Sequence, residues 1–169
     1  EVDRAAAALN APAARLVTPD GSRLLSLADV EALFAADTLV VDACRTVVRA
    51  TGTIVPLSGR PVLFALARAL GEAWPCDAPR ETLLARAFGA READESHRAR
   101  LRVEIGRLRR TLAPLADVTA TRRGFQLIPS GRRAVAVIAP PVDGEHAAVL
   151  ALLADGGAWS SSALALALD

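Results

Sequence analysis

The chain of 169 residues has no methionine, no tyrosine and no lysine, and only two cysteines and two histidines. Each shortage excludes something. Cys44, Cys76, His97 and His146 lie far apart and match no zinc-ligand spacing, and a domain of this size needs no single disulfide. Both cysteines read as small core or surface residues in a reducing, cytoplasmic setting, with no metal and no cofactor. No run of eighteen apolar residues is present, so a membrane span is not supported. The opening "EVDRAAAALN" carries acidic charge and lacks the apolar core of a signal peptide. With no methionine at its start, the chain reads as trimmed or incomplete. Because all 20 basic residues are arginine beside many alanines, arginine number reflects a G+C-rich coding bias as much as a mechanism.

What is present is a core-forming composition, 52% hydrophobic and 23% charged, which excludes disorder for most of the length. The net charge is only +1, but it is unevenly spread. Between residues 91 and 123 nine arginines face five acidic residues, a local balance of +4, and the remainder sums to −3.

Along the chain, residues 1–9 read as a short alanine-rich helix. "ARLVTPDGSRLL" reads as two strands around a Pro-Asp-Gly turn, and "SLADVEALFAAD" as a helix with Ser26 at its N-cap and Asp29 reaching back from N3. Three β-branched runs at 38–42, 46–50 and 53–57 predict an antiparallel meander. "SGRPVLFALARALGEAW" predicts a helix capped by Ser58 and ended by Pro75, with Leu63, Leu66, Leu70 and Trp74 as its core stripe. "PRETLLARAFG" is a second helix bounded by Pro79 and Gly89. A third runs from Asp94 to Leu112, stopped by Pro114, and "VTATRRGFQLIP" is a hairpin with an arginine-glycine tip.

The third helix carries the chemistry. Leu101, Ile105, Leu108 and Leu112 recur on one face, and Val103 is read as widening that apolar surface. Arg100, Arg107 and Arg110 fall towards the opposite side, with Arg98, Arg102 and Arg109 on the flanks and Ser96 and His97 in the first turn. Alone, such a helix reads as a solvated surface element pairing with Glu104. After a short helix and before a hairpin tipped by Arg122 and Arg123, it reads as the second helix of a helix-turn-helix, the one that enters the major groove. Arginine's planar fork suits guanine O6 and N7 or a phosphate, and its charge gains from counterion release.

From Leu39 to Leu127 the chain resembles the OmpR/PhoB-type winged-helix DNA-binding domain of bacterial transcriptional regulators. "LVVDACRTVVRATGTIVPLSGRPVLFALARAL" is similar to that family's N-terminal sheet and first helix, and "PRETLLARAFG" to its second helix, with Phe88–Gly89 at the usual aromatic-glycine position. "ARLRVEIGRLRRTL" resembles the recognition helix and "TATRRGFQL" the wing, with Gly124–Phe125 in place of Gly-Tyr. The resemblance implies an α+β fold: a three-stranded antiparallel sheet, three helices and a hairpin wing. It implies DNA contacts by His97, Arg98, Arg100, Arg102 and Arg107 on the helix, and by Arg122 and Arg123 on the wing. The family's usual wing arginine falls on Thr121. Arg109 and Arg110 lie towards the helix end, where they touch phosphate or serve the fold. Only about 37 residues precede the sheet, too few for a receiver domain, so nothing supports control by aspartyl phosphorylation.

The expected organisation is therefore a 1–37 extension for dimerisation or regulation, a 38–129 winged-helix domain and a 130–169 tail. The tail opens with a strand, "RAVAVIAPP", and continues as two helices, near 145–154 and after a serine of the 160–162 run. Those helices read either as the start of a second helix-turn-helix whose recognition helix follows Asp169, or as a pair packing on the first domain or between subunits. Enzyme readings are weak. No GxxxxGK[ST] or GxGxxG is present, and contiguous Glu95-Ser96-His97 cannot face one another as a nucleophile and its base must. The expectation is a DNA-binding regulator, not an enzyme, acting as a homodimer or in tandem, with RNA polymerase as a further partner. The competing expectation is a module that binds an acidic protein.

Overall fold

In a computed structural model, residues 12–18, 20–89 and 95–142 are described. The expected helices at 1–9, 145–154 and beyond 160 lie outside the described residues. The described part is α+β: nine strands and four α-helices, arranged as a six-stranded mixed sheet and a three-stranded sheet.

The chain opens with the antiparallel pair β1 (Ala14–Thr18) and β2 (Gly21–Leu25). Helix α1 (Leu27–Ala35) follows from a complete capping box, in which the Ser26 hydroxyl accepts from the Asp29 amide and the Asp29 carboxylate accepts from the Ser26 amide. The meander is β3 (Thr38–Asp42), β4 (Val47–Ala50) and β5 (Thr53–Pro56), paired antiparallel in sequence. Helix α2 (Pro61–Ala73) comes next. Its N-cap is Arg60, not Ser58, because Pro61 takes the first helical position; arginine has no acceptor, so the cap lacks a side-chain hydrogen bond.

After the short strand β6 (Ala78–Pro79) come α3 (Arg80–Phe88) and α4 (Glu95–Leu112). Gly89 ends α3 with φ of 65°, the left-handed conformation that favours glycine at this position. The hairpin β7 (Ala116–Ala120) and β8 (Gly124–Pro129) pairs with β6 in the order β6-β8-β7.

The expected three-stranded N-terminal sheet is instead six-stranded, in the order β2-β1-β9-β3-β4-β5. Strand β9 (Ala134–Ala139), read from the sequence as the head of a separate tail, lies parallel to β3 and antiparallel to β1. It thereby joins the 14–25 hairpin to the 38–56 meander in one sheet.

Alternation along each strand sends neighbouring side chains to opposite faces. On one face, Val30, Leu33 and Phe34 of α1 meet Val40 and Ile138. On the other, Leu39, Val41, Val48 and Val137 belong to the main core with Leu63, Leu66 and Leu70 of α2 and with the hydrophobic stripe of α4. Trp74 is only half-buried and stands outside that stripe, because the helix has already ended at Ala73. Among the described residues, no helix is long and apolar enough to cross a membrane.

Candidate nucleic-acid interface

Helix α4 is anchored by Leu101, Ile105, Leu108 and Leu112, each at most 2% exposed. This buried row, packed against α2 and β7, fixes which way the rest of the helix points. Val103 is 54% exposed, and so does not extend the core. Two residues past Leu101 is about 200° around a helix, on the side away from the packed row. Arg98, Arg100, Arg102, Arg107, Arg109 and Arg110 are all exposed, and His97 is half-buried with its ring 6.4 Å from that of Phe88.

The arginines divide between two flanks. Arg98, Arg102 and Arg109 turn towards the hairpin. The Arg109 guanidinium donates to the Val118 carbonyl and lies 3.1 Å from Asp117, tying helix to strand. Arg98 and Arg102 share Glu95 at 3.8 and 3.5 Å, exposed pairs that hold the side chains only weakly. With Arg80 they line a cleft of about 260 Å³ between α4 and the hairpin, with Leu101 and Phe125 as its apolar part.

On the other flank, Arg100 lies over the Phe88 ring at 4.6 Å and Arg107 bonds the buried Glu104 at 2.8 Å. The expected pairing with Glu104 thus involves Arg107. Arg110 projects further along the same side, beside the first turn of α2.

The hairpin tip exposes Arg122 and Arg123. Its conformation is imposed by residues from elsewhere. Arg80, at the start of α3, donates to the Thr121 carbonyl at 3.0 Å and the Arg122 carbonyl at 2.8 Å, while its amide donates to the Arg123 carbonyl at 3.2 Å. The Thr121 hydroxyl donates to Asp77 at 2.6 Å and accepts from the Gly124 amide at 2.9 Å. Thr121, a DNA-facing candidate by its alignment with the family's wing arginine, therefore spends its hydroxyl on locking the turn. Gly124 is required here by close approach. A Cβ at that position would stand 1.8 Å from the Ala78 carbonyl oxygen, inside the β6–β8 pairing.

Arg80 and Asp77 are the residues that sequence reading missed. Both lie more than forty positions from the tip they hold, and no local pattern announces such a contact.

Among the described residues there is no group of three or more histidine, cysteine or acidic side chains able to hold a metal. Cys44 and Cys76 are free and exposed. Glu95, Ser96 and His97 form the first turn of α4, where Glu95 is engaged by Arg98 and Arg102. Compared with models of protein families, with curated proteins and with solved structures, the chain matches none.

Proposed function

We propose that the chain is a sequence-specific, double-stranded DNA-binding transcriptional regulator built on a winged helix-turn-helix. In this reading α3 and α4 form the helix-turn-helix, α4 enters the major groove, and the β7–β8 hairpin is the wing that meets the adjacent groove or backbone. The observation that carries it is that Arg98 and Arg102 of α4 border one cleft with Arg80 beside a hairpin whose tip exposes Arg122 and Arg123, while buried leucines and the Arg80 and Arg109 bonds hold both elements in place. A pre-positioned pair of basic elements loses little freedom on binding. Arg98, Arg100, Arg102 and Arg107 are the helix contacts, and Arg122 and Arg123 the wing contacts. Guanidinium forks supply base readout on α4 and phosphate contacts at the tip.

A single module of this size gives limited specificity, so the functional unit is a homodimer or a tandem. The six-stranded sheet departs from the three-stranded one that the resemblance implies.

The test is a mobility-shift assay on genomic and random-sequence duplexes at moderate salt, with the wild type and the Arg100→Ala, Arg102→Ala, Arg107→Ala triple variant. Retention and preference by the wild type, lost in a folded triple variant, support the regulator. A wild type that retains neither duplex overturns it and favours an acidic protein partner.

A further inference from the structure

A second recess lies on the opposite flank of α4 from the hairpin. It is a groove of about 560 Å³ between the start of α2 and the C-terminal half of α4. One wall is apolar, made by Pro61, Val62 and Leu63. The rim is cationic, made by Arg60, Arg107 and Arg110.

The charges in this groove are unequal in their commitments. Glu104, 9% exposed, takes Arg107 at 2.8 Å, so that cation is already balanced. Among the described residues the Arg60 side chain reaches only the Thr111 hydroxyl, at 3.5 Å, and that hydroxyl itself donates to the Arg107 carbonyl at 2.9 Å. Arg110 is exposed, and no acidic side chain among the described residues is paired with it. Two guanidinium groups, one at the N-cap of α2 and one on α4, thus border an apolar wall with little of their hydrogen-bonding capacity used.

The geometry points to a binding site for a small amphipathic anion: a carboxylate on an aromatic or short aliphatic body. The carboxylate would sit between Arg60 and Arg110, and the body against Pro61, Val62 and Leu63. The volume is within the range of small-molecule sites, and an apolar wall with a few convergent polar groups is their usual chemistry. A planar carboxylate matches the guanidinium fork, whereas inorganic phosphate would leave the apolar wall unused. The assignment goes beyond DNA binding and does not rest on it. Because Arg107 and Arg110 belong to α4, a ligand held here would also alter the charge that α4 offers to any other partner.

The experiment is an amide chemical-shift titration of the full, isotopically labelled chain, without DNA, using benzoate as the probe. Benzyl alcohol and inorganic phosphate serve as the uncharged and the non-apolar comparisons. The expected result is a saturable set of shifts centred on residues 61–63 and 104–111, with half-saturation at about 1 mM. Each comparison compound should bind at least about tenfold more weakly, and Arg60→Gln and Arg110→Gln should each weaken benzoate by about fivefold or more in a chain whose other amides are unmoved. Benzyl alcohol binding as well as benzoate would overturn the anion assignment, and phosphate binding as well would overturn the amphipathic one. So would shifts that never saturate, that spread over the whole surface or that survive both substitutions. Since DNA is absent, failure here leaves the regulator reading untouched, and failure of that reading leaves these shifts measurable.

Discussion

The guanidinium of Arg80 donates to the backbone carbonyl of Arg122 at 2.8 Å, across 42 residues of sequence. One arginine thereby fixes the backbone from which another projects. Arg80→Ala removes this bond and its neighbour to Thr121, and the stacking of the guanidinium towards Phe125 at 5.6 Å. The expected cost is about 1 kcal/mol of stability, since these bonds are partly open to solvent. The larger effect should be local: amide exchange at residues 120–124 should rise well above that of the core, and duplex affinity should fall although Arg122 and Arg123 are intact. Unchanged exchange at the tip would contradict the account of how the hairpin is held.

Gly124→Ala is a more severe test of the same region. The added methyl would overlap the Ala78 carbonyl, which belongs to the backbone and has no rotamer to adopt. The β6–β8 pairing must separate, and a loss of about 3 kcal/mol is expected. Urea unfolding checks it, and a neutral substitution would mean that the strands are not so closely apposed.

Leu108 and Val103 differ by five positions in one helix and should respond oppositely. Leu108 is fully buried, so Leu108→Ala should cost about 3 kcal/mol through lost burial and a cavity. Val103→Ala, on the outer side, should change stability by no more than about 0.5 kcal/mol. If α4 enters the major groove as proposed, the exposed valine is available to a thymine methyl, and its loss should alter duplex preference. Equal destabilisation by the two would place α4 in a different rotation.

Acid should weaken the first part of the chain through two carboxylates. The amide and hydroxyl of Ser26 hold Asp29 below its ordinary carboxylate value, and the guanidinium of Arg133 with the Thr51 hydroxyl does the same for Asp37. A carboxylate whose pKa is depressed by folding adds stability above its unfolded value, and that contribution is lost as pH falls through the folded one. Urea midpoints should therefore drop below about pH 4, with a smaller drop in Asp29→Asn and Asp37→Asn, each already less stable at pH 7. Identical acid profiles in all three proteins would contradict this assignment.

How much of this was legible in the sequence depends on the range of the interaction. The capping box of Ser26 and Asp29, the Gly89 stop and the hairpin with its arginine tip were read correctly, because each is settled within a few residues of itself. The rotation of α4 was legible in the leucine row. Val103 does not widen that apolar surface as expected, because helical geometry puts it on the other side. Strand β9 was recognisable from its β-branched run, but periodicity names no partner, so its place between β1 and β3 was not. The same holds for Arg80, Asp77 and Thr121, whose roles arise only when distant segments meet.

In the proposed function α4 reads base edges while the hairpin tip holds the backbone. Selection of bound sequences from a randomised duplex pool tests it most directly, run with the wild type, Arg102→Ala and Arg122→Ala. The account predicts an enriched sequence for the wild type, loss of preference at one or two base pairs for Arg102→Ala, and a uniform weakening with the same preferences for Arg122→Ala. A wild type that enriches no sequence, or an Arg102→Ala variant whose preferences are unchanged at every position, would contradict it.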